Sequence, residues 1–218
     1  MSYVNEAVKV NCTVVERNDL QVAYDNGLDL AKKVFKEDKL ISSKEHKYLM
    51  KRIRAKSIPS LKIRIKDHKP IINGMYKVRL IIPYTNYLSG FSKLAYEELK
   101  KVFEVNNVQF NNLLKDSYET KRFIGELTGL VDCKLVSLDV KDIYPSISFN
   151  LIRQAIRYFM KNYKFTKKDK KIVEACLEVL KFGMYNIFAR NGEVYYKYTG
   201  KKNCSLCIGA YEASWQMW

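Results

Sequence analysis

Acidic residues are in short supply. Asp and Glu number 23 against 39 Lys and Arg, for a net charge of +16 over 218 residues. A chain this basic attracts polyanions, and any nucleic acid it binds should be released steeply by salt. Long apolar runs are missing too. No stretch approaches the roughly 18 residues that a spanning helix needs, and no signal peptide opens the chain. These absences set the membrane aside and predict a soluble, intracellular protein, nuclear or cytoplasmic. The five cysteines, Cys12, Cys133, Cys176, Cys204 and Cys207, are odd in number and irregularly spaced, which predicts reduced thiols rather than a disulfide framework. Cys204 and Cys207 form the one close pair, and neither His46 nor His68 completes a second pair for structural zinc.

What is present can fill a real core, since 47% of residues are hydrophobic, and the length suits one or two domains. Sixteen Tyr and ten Phe divide between that core and surfaces on which bases could stack. The most informative stretch is Lys134 to Ile147. Val136, Leu138 and Val140 alternate with Ser137 and Asp139, which predicts a strand that delivers Asp139 at its end on the face away from the core. Asp142, Tyr144 and Pro145 follow before Asn150 opens a helix with Leu151, Ile152, Ala155, Ile156, Phe159 and Met160 on its apolar side. The Asp139 carboxylate beside the Val140 carbonyl makes a hard oxygen site of the type Mg²⁺ prefers. An Asp in such a turn is also a common local hydrogen-bond acceptor.

Leu61 to Pro83 is the second informative stretch. Leu61, Ile63 and Ile65 alternate with Lys62, Arg64 and Lys66, and after Asn73-Gly74, Val78, Leu80 and Ile82 alternate with Lys77, Arg79 and Ile81. This predicts a β-hairpin with one apolar and one largely basic face. The remainder reads as scaffold. A strand over Lys9 to Glu16 would carry Val10, Cys12 and Val14 on one face. Asp19 would cap a helix to about Lys36, weakened by Gly27, and Ser42 to Glu45 has capping-box spacing before another helix. Ser89 to Glu104 reads as a helix packed behind the hairpin, and Tyr118 to Leu130 as another. Thr166 to Asp169 has capping-box spacing ahead of a helix closed by Gly183, and Tyr185 to Tyr198 reads as a hairpin around Asn191-Gly192. The run Lys161, Lys164, Lys167, Lys168, Lys170 and Lys171 is either a phosphate-contacting surface or a solvated face.

The string from Asp139 to Ile147 resembles motif A of reverse transcriptases, most closely the form in Penelope-like retroelements. Lys66-Asp-His-Lys69-Pro70 followed by Arg79-Leu-Ile-Ile-Pro83 resembles the fingers hairpin of the same family. The resemblance implies that Asp139 is catalytic and holds the Mg²⁺ ions together with the Val140 carbonyl. It also implies that Tyr144 lies under the sugar of the incoming nucleotide with Asp142 nearby, and that Arg79 with Lys66 or Lys69 holds the triphosphate. Tyr198-Thr-Gly200 through Ser205, Gly209, Tyr211, Glu212 and Ala213 resembles motif B weakly, without its Gln and Ser-Pro. The implied fold is α+β: an N-terminal extension over 1–60, fingers over 61–130, and over 131–218 part of a right-hand polymerase palm, with no thumb.

Two-metal nucleotidyl transfer needs further carboxylates around the ions. No Asp-Asp pair of the motif C type occurs before Trp218. The implied function is therefore an RNA-directed DNA polymerase fragment, inactive alone or completed by a downstream polypeptide carrying motif C, with RNA template, DNA primer and deoxynucleotide triphosphates as partners. The competing expectations are a non-catalytic nucleic-acid-binding protein derived from a polymerase, and a structural protein that owes its charge to solubility.

Overall fold

Helix–helix burial organises the chain. The computed structural model describes residues 3–65, 71, 76, 78–83, 85–108, 116–128, 134, 136, 146–190 and 194–199. In order, the elements are α1 (Tyr3–Asn11), β1 (Cys12–Val15), α2 (Arg17–Lys36), α3 (Ser43–Arg54), β2 (Lys62–Ile65), β3 (Val78–Ile81), α4 (Ser89–Val105), α5 (Ser117–Glu126), α6 (Phe149–Asn162), α7 (Lys167–Gly183), β4 (Ile187–Arg190) and β5 (Val194–Tyr198). The fold is mixed α+β with small antiparallel sheets.

The dominant packing is α4 on α7. Helix α4 turns Phe91, Leu94, Ala95, Leu99 and Val102 inward, positions that recur at helical spacing. Helix α7 answers with Val173, Cys176, Leu177, Val179 and Leu180. Phe91 meets Phe182 edge-to-face at 5.3 Å between centroids, a favoured geometry for two rings. The expectation that α4 packs behind the basic hairpin is thereby corrected. Its apolar stripe is as wide as a helix partner needs, and α7 offers the matching one. Burial also explains Cys176, whose thiol desolvation pushes up to about 12. Among the described residues Cys12 and Cys176 are free.

Both capping boxes form as their spacing predicts. The Ser42 hydroxyl accepts from the Glu45 N–H at 3.3 Å while the Ser42 N–H donates to Glu45 at 2.7 Å. At α7, Thr166 Oγ1 accepts from the Asp169 N–H at 3.1 Å, and the Thr166 N–H donates to Asp169 Oδ2 at 3.2 Å. Asn106 Nδ2 adds a third donor to that carboxylate at 3.3 Å, tying the end of α4 to the start of α7. Hydrogen bonds from Thr166, then Asn106, hold Asp169 below its ordinary value of 3.8, and those from Ser42 hold Glu45 below 4.5. A depressed carboxylate contributes stability that is full above its unfolded value and is lost as pH falls through the folded one. Thr166→Ala is accordingly expected to cost about 1 kcal/mol at pH 7 and less at pH 3, measured by urea denaturation at both pH values. An equal cost at both would remove the Asp169 half of the box.

Three expectations for the amino-terminal half need correction. Helix α1 runs through Asn11, so the strand is confined to Cys12–Val15 and Val10 belongs to the helix. Val15 is buried while Val14 is 60% exposed, because pairing with β5 fixes which face of this edge strand turns inward. Helix α2 starts at Arg17 with Glu16 in the cap position, and Asp19 lies in its first turn. Gly27, expected to weaken α2, is buried, and a Cβ there would stand 3.2 Å from Leu88 and 3.4 Å from Phe182. Its absence lets those side chains approach the helix.

The sheet joins distant parts of the chain in the order β1-β5-β4. β4 and β5 form the expected hairpin, with Ile187 opposite Lys197, and β1 adds antiparallel to β5 with Cys12 opposite Tyr198. Ile82, Phe188 and Tyr198 form a small separate core beneath it. The segment before β2 meets the same sheet, where the Ala189 N–H donates to the Pro59 carbonyl at 2.8 Å and the Leu61 N–H to the Ala189 carbonyl at 3.1 Å.

Candidate nucleic-acid interface

β2 and β3 pair antiparallel, with Ile63 opposite Leu80, Arg64 opposite Arg79, Ile65 opposite Val78 and Lys62 opposite Ile81. Directly opposite residues share a face. One face therefore carries Ile63, Ile65, Val78 and Leu80, and the other Lys62, Arg64, Arg79 and Ile81, as the alternation predicts. Lys62, Arg64 and Arg79 are all exposed. Like charges placed directly opposite destabilise a strand pair, so the register concentrates positive charge at Arg64 and Arg79 on this face. Arg64 stands in the sequence as one cation of an alternating series; only the strand register singles it out as the partner of Arg79. On the other face Ile63 and Ile65 are 49% and 53% exposed.

Of the residues to which the resemblance assigns roles, Arg79 is the one described. Lys66, Lys69, Asp139, Val140, Asp142 and Tyr144 lie outside the described residues, as do Asn73-Gly74, Asn191-Gly192, Cys133, Cys204, Cys207 and the segment from Gly200 that resembles motif B. Among the described residues no group of three or more His, Cys, Asp or Glu could hold a metal ion. Asp169 is committed to the α7 cap and to Asn106.

The helix expected after Pro145 forms. Ser148 caps α6, its side chain accepting from the Leu151 N–H at 3.3 Å, so the helix starts at Phe149, one residue before the expected Asn150. Phe149 and Ile156 are buried, with Ile152, Phe159 and Met160 packed against the core. Leu151, expected on the apolar side, is 50% exposed, since contact with α7 occupies a narrower arc than the sequence stripe spans. The lysines at 161, 164, 167, 168, 170 and 171 are all exposed at the α6–α7 turn. Beside them an open cleft of about 700 Å³ is lined in part by Arg153, Arg157, Lys170, Lys171 and Lys181.

Compared with protein families, curated proteins and solved structures, the chain matches none. Among the described residues no helix is long and apolar enough to cross a membrane.

Proposed function

We propose that this chain is the fingers and the first part of the palm of an RNA-directed DNA polymerase of the Penelope-like type, acting with paired aspartates supplied by another segment or polypeptide. The observation that carries the reading is the exposed Arg79 on a basic hairpin face, opposite Arg64, in the element where the resemblance needs a triphosphate-binding cation. Guanidinium groups suit that task because their fixed donor fork matches phosphate oxygens. In this account Arg79, with Arg64 beside it and Lys66 or Lys69 from the connecting segment, neutralises the triphosphate. Tyr144 and Asp142 lie at the sugar, and Asp139 with the Val140 carbonyl holds Mg²⁺. The ion would supply charge neutralisation at the reacting phosphate.

The test is extension of a DNA primer on an RNA template by a chain that joins these residues to a motif C segment. Arg79→Ala is expected to raise the KM for deoxynucleotides by about 10- to 100-fold, the scale of losing hydrogen bonds to a charged group, with template–primer affinity unchanged. An unchanged KM would remove Arg79 from the triphosphate site.

A further inference from the structure

The basic run at the α6–α7 turn continues into the cleft beside it, and two of the three acids lining that cleft are already paired. Residues 148–183 contain nine Lys and Arg and three acids, Asp169, Glu174 and Glu178. Asp169 serves the helix cap. Glu174 is held by Arg157 at 3.2 Å and Glu178 by Lys33 at 2.6 Å. Asp38 is the remaining carboxylate on the cleft lining. On α6, Arg153, Arg157 and Lys161 recur every four residues, a row of cations about 6 Å apart along the helix. On α7, Lys170, Lys171 and Lys181 line the opposing wall, with the paired Glu174 and Glu178 between them.

We propose that the α6–α7 cleft binds the phosphate backbone of a nucleic-acid strand through Arg153, Lys170, Lys171 and Lys181, independently of base sequence. The concave shape selects this partner over an anionic membrane. A bilayer-binding surface presents apolar side chains outward between its cations, whereas here Phe149 and Leu177, the large apolar groups of the cleft, are 8% and 3% exposed at its floor. A groove with cations on both walls and a closed apolar floor fits a strand laid along it. The site shares with the polymerase reading only the need for nucleic acid, and it lies on a different element from the Arg64–Arg79 hairpin.

The experiment is fluorescence anisotropy of a labelled mixed-sequence oligonucleotide, titrated with the full chain between ~50 and ~200 mM salt. The variants are Arg153→Ala/Lys170→Ala/Lys171→Ala in the cleft and Arg64→Ala/Arg79→Ala in the hairpin. These are surface changes that spare Arg157 and its ion pair, and circular dichroism checks that each variant is folded. The cleft variant is expected to bind about tenfold or more weakly, with a log–log salt slope shallower by about 2 to 3, and Lys170→Arg/Lys171→Arg should restore binding toward the parent's. A cleft variant with parental affinity and slope overturns the proposal, whatever the hairpin variant does. Loss in the hairpin variant alone would sink the cleft and move strand binding to the hairpin; loss in the cleft variant alone supports the cleft and leaves the triphosphate role of Arg79 to be decided separately by the KM for deoxynucleotides. Binding of the chain to phosphatidylcholine–phosphatidylserine vesicles but not to the oligonucleotide overturns it in favour of a membrane surface.

Discussion

Gly183→Ala is expected to destabilise the chain by about 2 to 3 kcal/mol, at the upper end of what one added methyl costs in a filled core. Gly183 ends α7 where that helix crosses α4. A Cβ built there would lie 2.3 Å from Ser92 Oγ, 2.6 Å from the Ser92 backbone nitrogen and 3.1 Å from its Cα. A hydroxyl can rotate aside, but a backbone nitrogen moves only with its helix, and Ser92 belongs to the buried stretch Ser89 to Ser92 that begins α4. Alanine's better helix propensity returns about 1 kcal/mol at most, too little to offset separating the two helices that share most of the core. Gly90 provides the control. A Cβ there meets Leu49 Cδ1 at 2.8 Å, the far end of a flexible side chain, so Gly90→Ala should cost distinctly less. Urea denaturation of both variants checks the order. Gly183→Ala as stable as the parent would mean that α4 and α7 are not locked at Ser92.

Asp139→Ala carries the largest expected effect on function. If Asp139 holds the ions that stabilise charge at the transferred phosphate, its removal should lower incorporation by at least about 10³-fold, the scale of losing one strongly placed stabilising group in an active site. Affinity for template and primer should change little, because on this reading the cations of the α6–α7 surface, and not Asp139, carry that binding.

Much of the fold is legible wherever a signal is local. The capping boxes at Ser42 and Thr166, the α4 stripe from Leu94 to Val102 and the alternation of β2 with β3 are each written within one element. They form because neighbouring residues suffice to satisfy them. What is not legible depends on partners far away in sequence. Val15 rather than Val14 is buried because β1 pairs with β5, some 180 residues distant, and no local periodicity contains that fact. Gly27 reads as a flaw in α2 until Leu88 and Phe182 are placed against it. The candidate site divides in the same way. Arg79 and its basic face can be read from alternation. The pairing with Arg64 needs the register, and the cleft needs α6 and α7 brought together so that Arg153 and Lys170 line one cavity, which neither helix encodes alone.

The measurement that goes most directly to the central claim is Mg²⁺-dependent incorporation of deoxynucleotides on a primed RNA template. It compares this chain alone, this chain joined to a motif C segment, and the joined form carrying Asp139→Ala. The account predicts synthesis only in the joined parental form, with Asp139→Ala inactive yet still bound to template and primer. Synthesis by the Asp139→Ala form, or none by the joined parental form while salt-sensitive nucleic-acid binding persists, would contradict it.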